Sequence, residues 1–215
     1  MPARTPILVT MLYKTIVLCL LLVPLCAASD HWNDWNYEDT HSESRDFVSG
    51  GMVHIRLSVG DLRIKRSDSN TIQLRYTIKS RSENRLKEAH VDFEVRGRDA
   101  DIDFHASTIG NTQIDVELEV PQNTNLDVHQ KVGDLTVEEV EGDKDLELGV
   151  GDIRVTVARS AYHLVRASTS IGDVNASGDY GEAGGWLGKN LKYNGNGKYE
   201  LRAHVSVGDI SLDQK

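Results

Sequence analysis

Thiol chemistry has almost no place in this chain: its 215 residues include 2 cysteines, Cys19 and Cys26, both close to the amino end. They fall in a segment that reads as removable, so what remains has no disulfide and depends on packing alone. Basic charge is short as well. Lys and Arg number 24 against 33 Asp and Glu, a formal charge of -9, which argues against nucleic acid or an anionic membrane surface as a partner. The main apolar run, Ile16 to Leu25, is shorter than the ~20 residues a spanning helix needs. Signatures of catalysis are also missing: no serine sits in a nucleophile-elbow phrase, no phosphate-cradling loop occurs, and the 8 histidines are scattered. The chain therefore reads as a non-enzyme without cofactor or metal.

The order of Lys14, the apolar run and the small residues Cys26-Ala27-Ala28 reads as a secretory signal over residues 1–28, cut after Ala28. Retention as an anchor and lipid attachment at Cys26 are the alternatives; bulky Leu25 argues against the second. Cleavage removes Arg4 and Lys14 and no acid, taking the formal charge from -9 to -11. Residues 29–45 are polar and acidic, carry Trp32, Trp35 and Tyr37, and read as a flexible leader.

What the chain has in quantity is one short phrase. Gly60-Asp61, Gly133-Asp134, Gly151-Asp152, Gly172-Asp173 and Gly208-Asp209 each sit between aliphatic residues, at glycine intervals of 73, 18, 21 and 36. Period-two alternation flanks them, as in Val53, Ile55, Leu57 and Val59, and marks strands with one buried face. Glu83 to Ala89 is the one stretch that invites a helical turn. Glycine supplies a positive φ and aspartate holds the corner through its own backbone. Two folds satisfy this pattern over residues 46–215: a single-stranded β-solenoid (β-helix) with irregular N-terminal strands, each rung lying on the one before, or an antiparallel β-sandwich in which Gly-Asp closes hairpins. Near-identity of the corners favours the solenoid. In it, both arms of each corner, including Val150 and Val207, turn their apolar side inward.

The run Ile114 to Leu126, with Val120-Pro121 leading into successive Gly-Asp-aliphatic corners, resembles the "putative adhesin" family of exported bacterial β-solenoid domains of unknown function. The resemblance implies a binding or structural role in the cell envelope or at the surface, with no catalytic residues to carry over. A carbohydrate-active enzyme on a β-helix and a self-assembling scaffold are the alternatives. The expected partner is a surface or envelope ligand, protein or glycan, met by an exported chain that is periplasmic, surface-held or secreted and does not insert in the membrane.

Residues 177–198 form a glycine-rich excursion in which Tyr180, Trp186 and Tyr193 are candidate partner-binding residues; alternatively, Trp186 and Leu187 fold back as a lid over the end of the core. The five corner aspartates read as corner caps; calcium binding or acid catalysis by them is the lesser reading. Gly151→Val is expected to lower the melting temperature far more than Gly197→Val, measured by thermal unfolding.

Overall fold

A computed structural model describes residues 35–106, 111–178, 180–181, 183–185 and 188–215. The expected signal segment and Trp32 lie outside them. Sixteen strands run through the described residues: β1 (Tyr37–Asp46), β2 (Met52–Val59), β3 (Leu62–Ser67), β4 (Thr71–Ser80), β5 (His90–Arg96), β6 (Asp99–His105), β7 (Thr112–Pro121), β8 (Asn125–Val132), β9 (Leu135–Glu138), β10 (Lys144–Val150), β11 (Ile153–Val157), β12 (Tyr162–Ile171), β13 (Val174–Ala176), β14 (Asn190–Asn194), β15 (Tyr199–Val207) and β16 (Ile210–Gln214). The helical turn falls where expected, as α1 (Glu83–Glu88).

The strands form two mixed eight-stranded sheets. Sheet A has the order β1-β4-β7-β3-β9-β11-β16-β13, and sheet B the order β14-β12-β15-β10-β8-β2-β6-β5. Every Gly-Asp phrase carries the chain from a strand of sheet B to one of sheet A, and no such pair is hydrogen-bonded to each other. The hairpin reading of the phrase is thereby excluded. Parallel pairing fills the middle of both sheets, and antiparallel pairs occur only toward the ends, as β1 with β4, β4 with β7, β5 with β6 and β12 with β14. The architecture is all-β and solenoid-like.

Rungs do not stack in chain order. The pair β2–β3 lies between β6–β7 and β8–β9, and the last pair, β15–β16, lies between β10–β11 and β12–β13. The expectation that each rung lies on its predecessor is thus corrected at both ends. Equivalent parallel edges accept one another whatever their distance along the chain, so register alone does not set the order.

One steric relation joins the rungs. The corner glycines have φ between 121° and 142°. A Cβ on Gly133 would lie 2.0 Å from the carbonyl oxygen of Gly60; one on Gly151, 2.1 Å from that of Gly133; one on Gly208, 2.0 Å from that of Gly151; and one on Gly172, 2.1 Å from that of Gly208. Each corner's carbonyl fills the space of the next corner's side chain. The column starts at Ile114, whose carbonyl oxygen would lie 1.8 Å from a Cβ on Gly60. Ile114-Asp115 is the Gly-Asp equivalent of the β7 rung, which explains the interval of 73 residues in the sequence.

The aspartates form a second column beside the first. Backbone N–H groups of Asp61, Asp134, Asp152, Asp209 and Asp173 donate to Oδ1 of Asp115, Asp61, Asp134, Asp152 and Asp209 respectively, at 3.3, 3.0, 3.1, 2.9 and 2.7 Å. Like charges stack here because each carboxylate bonds the corner above it. Each of these bonds ties one corner to its neighbour on the next rung.

Buried aliphatic residues of both sheets form one continuous core, in which Val53, Leu126, Leu201 and Val165 make one row and Leu62, Leu135, Ile153 and Ile210 another. Three residues beside the corners depart from the expected inward direction: Val150, Val207 and Ile171 are 49%, 43% and 58% exposed. They stand at the rim of sheet B, directly before the corner that carries the chain across to sheet A.

The flexible-leader reading also changes. Tyr37 to Asp46 is strand β1, paired antiparallel with β4 along its whole length. Trp35 lies under the guanidinium of Arg81, 5.5 Å from its carbon to the ring centre. Within the excursion, Asn190–Asn194 pairs with β12 as strand β14.

Gly197 is not a tolerant loop position, since a Cβ there would lie 2.2 Å from the backbone of Ala161 and Tyr162. Gly184, with nothing within 4 Å of its added Cβ and no positive φ, is the proper comparison. Gly151→Ala is expected to cost about 3 kcal/mol or more, from a φ open to glycine alone plus the overlap, and to lower Tm by ~10 °C, while Gly184→Ala shifts it little. Equal shifts in thermal unfolding would overturn the column.

Candidate functional site

Counting back from each corner glycine aligns the outward-facing residues of sheet B into rows. Four residues before the glycine stand Arg56, His129, Glu147, His204 and Ser168; six before it stand His54, Asp127, Asp145, Arg202 and Arg166. Their neighbours at odd offsets are the core residues, so strand alternation alone sends these side chains outward. Six of the 8 histidines in the sequence, His54, His90, His105, His129, His163 and His204, lie on the strands of sheet B, none of them buried. The scattering seen along the chain becomes a shared face in the fold.

The first row, up to His204, lines an open groove of about 470 Å³ running over β6, β2, β8, β10 and β15, with Arg56, Asp103, His105, His129, Glu147 and His204 along it, and His54, Asp127, Asp145 and Arg202 of the second row line a separate depression. A bonded series crosses the sheet beside it. His54 Nδ1 is 2.8 Å from Asp127 Oδ2, Asp127 Oδ1 is 3.1 Å from His129 Nε2, and His129 Nδ1 is 2.9 Å from Glu147 Oε2. Ser168 Oγ lies 3.0 Å from His204 Nδ1. Arg56 donates to Asp103 at 3.0 Å, a hydrogen bond that holds its guanidinium above the ordinary pKa. Donors and acceptors alternate at the strand spacing of ~4.8 Å, so the groove offers a polar ligand many hydrogen bonds without a strong field of one sign.

The aromatic candidates of the excursion are not on this face as a group. Tyr180 is buried, 3% exposed, and its ring meets that of Tyr193 edge-on at 5.5 Å. Tyr193 is half-buried against the core, and the Arg159 guanidinium lies 5.2 Å from its ring centre. Tyr180 is left with little surface for a partner, while Tyr193 stays partly exposed. Trp186 and Leu187, the residues of the lid reading, lie outside the described residues. The groove residues went unnoticed in the sequence, although using each corner glycine as a register mark finds them directly.

The most perturbed amine is on the other side of sheet B. Lys144 occupies the inward row between Leu126 and Leu201 and is 2% exposed. Its Nζ donates to Tyr162 Oη at 2.6 Å and to the Gly142 carbonyl at 3.0 Å, and the same phenol donates to that carbonyl at 3.3 Å. Burial pulls the Lys144 pKa down from 10.5 to about 7 and pushes the Tyr162 phenol up.

The comparisons with known proteins concern the fold that carries this groove. The sequence signature of the Toastrack DUF4097 family matches residues 60–213. Among curated proteins none matches the chain. A putative cell adhesion protein from Clostridium sporogenes superposes with a TM-score of 0.51 at 17% identity, over 82% of this chain and 100% of that one. A putative adhesin from Parabacteroides distasonis is similar at 15% identity over 81% of this chain and 70% of that one, with a TM-score of 0.28. A putative lipid binding protein from the same species is similar at 10% identity over 82% of this chain and 97% of that one, also with a TM-score of 0.28. At these identities the first likeness shows the fold and nothing further. No helix among the described residues is long and apolar enough to cross a membrane.

Because the folded chain holds the Lys144 proton less tightly than the unfolded chain does, the unfolded state binds more protons between about pH 7 and 10.5, and stability climbs with pH across that window. Lys144→Met keeps the volume and removes the buried charge. It is expected to raise stability at pH 7 by roughly 1–3 kcal/mol and to flatten the climb. Urea unfolding of both proteins from pH 6 to 10 checks this; parallel curves would show that Lys144 does not carry the effect.

Proposed function

The chain belongs to the Toastrack DUF4097 family, and from that premise we propose that it is an exported, non-enzymatic binding protein of the bacterial cell envelope or surface whose contact surface is the groove on sheet B. The observation that carries this reading is the alignment of hydrogen-bonding side chains from five successive parallel strands on one open face. Such a surface meets an extended polar ligand along its length, with many weak contacts in place of one deep pocket. A hydroxyl-rich glycan is the ligand class that uses both donors and acceptors; a polar protein segment is the other. The name of the Clostridium protein, a putative cell adhesion protein, supports the setting.

The enzyme alternative has little to support it here. Corner carboxylates bond to backbone N–H groups in a column, each in the same position as the last. A glycosidase needs two carboxyl groups facing each other across one bond, ~5–9.5 Å apart, in different environments. Self-association has one feature in its favour, the exposed aliphatic column of Val150, Val207 and Ile171. The outermost strand β1 is densely charged, with Glu38, Asp39, Glu43, Arg45 and Asp46, which opposes strand addition at that edge.

An array of bacterial and host-surface polysaccharides is the direct test. Arg56→Ala with His129→Ala is expected to weaken binding at least about tenfold, whereas Arg63→Ala on sheet A leaves it unchanged. Binding that survives the double substitution sinks the groove reading, and sugar release from the same polysaccharides that stops in Asp152→Asn would establish the enzyme. Export is checked separately: protein recovered from the periplasm or medium of an expressing bacterium is expected to begin at Ser29, and an intact amino end on exported material would contradict cleavage.

A further inference from the structure

We propose that His90, Asp92 and His105, on the outer face of the β5–β6 hairpin, form a binding site for Zn²⁺. The two histidines are register partners across the hairpin, with ring centres 4.7 Å apart and planes inclined by 21°. Asp92 follows His90 by two residues and therefore shares its face, and its Oδ2 lies 3.2 Å from His105 Nε2. One ligand atom from each residue falls within 4.8 Å of the others, and no second group of this kind exists among the described residues. Tetrahedral zinc with bonds of 2.0–2.2 Å separates its ligands by about 3.3 Å. Exposed side chains on fixed strands reach that spacing by small χ rotations, without backbone movement.

Two further features point to a metal and not to a chance surface cluster. His90 Nδ1 lies 3.1 Å from the carbonyl oxygen of Glu88. A carbonyl only accepts, so Nδ1 carries the proton in the neutral ring and Nε2 presents its lone pair, the arrangement by which a backbone carbonyl fixes the tautomer of a metal-binding histidine. The nearby carboxylates that could compete are already engaged, Asp103 with Arg56 and both Glu94 and Asp101 with Arg96, which leaves Asp92 facing the imidazoles. Two imidazoles and one carboxylate suit Zn²⁺; Ca²⁺ requires six or more oxygen ligands and is excluded by the donor set.

Three protein ligands leave the fourth tetrahedral position for water or for a group on a partner. His105 also lines the groove, so the ion stands at the edge of the proposed contact surface. The site itself is independent of what that groove binds.

Calorimetric titration of the whole protein with zinc chloride alone tests the proposal. One Zn²⁺ per chain is expected at micromolar affinity, with a rise in Tm on addition of the metal. His90→Ala and His105→Ala are each expected to weaken binding by roughly tenfold or more and abolish the Tm shift, with Asp92→Asn weakening it less. His163→Ala, on a different strand of the same sheet, leaves both unchanged. All four positions lie on the surface, and an unaltered unfolding transition without metal verifies that the variants fold. Absence of binding at submillimolar zinc overturns the proposal, as does unchanged stoichiometry and affinity in both His90→Ala and His105→Ala.

Discussion

Close approach of one backbone corner to the next is the constraint on which the rest of the structure depends. At Gly133, Gly151, Gly208 and Gly172 the neighbouring carbonyl occupies the position that any side chain would take. A substitution at one corner is therefore felt by the corner beside it as well as by its own turn. The aspartate column complements this: a carboxylate that accepts the N–H of the next corner fixes the distance and the register of the two rungs together. Ile114 shows the rule from the other side. It stands at the first place in the column, where its own carbonyl abuts Gly60 and the requirement for glycine lapses.

Fixed register turns the outer face into a coordinate system. A residue four places before any corner glycine arrives on the same row as its counterparts in every other rung, so Arg56, His129, Glu147, His204 and Ser168 meet although they are spread over more than half of the chain. Chemistry on such a surface is changed one side chain at a time, because the backbone that positions it is set by other residues. The inner face is less forgiving. Lys144 is accommodated there only because Tyr162 and the Gly142 carbonyl bond its amine.

Much of the fold was legible in the sequence for the same steric reason. A position that admits only glycine leaves a mark that survives when neighbouring residues vary, and alternation such as Val53, Ile55, Leu57 reveals which strands have one covered face. The features that escaped notice lack such marks. Strand β1 carries Glu38, Asp39, Ser42, Glu43 and Ser44 without apolar alternation, because as an edge strand it has little core to cover. The order of the rungs left no trace, since parallel edges of equal register are interchangeable. The histidine-bearing face became visible only on aligning residues to the glycines, and the pairing of His90 with His105 depends on a hairpin at Gly97 that makes no close contact of its own.

The inward placement of the β15–β16 pair has a bearing on when the molecule can form. Strands β10 and β12 have no bond to each other; β15 stands between them and holds both. Residues 162–176 thus remain without their mate on the central stack until Tyr199–Val207 has been synthesised. Closure of this half is a late event of high sequence separation, slow by nature and sensitive to premature collapse. The rungs from β2 to β11 pair among themselves, so one end of the ladder can consolidate while the other still waits for its keystone.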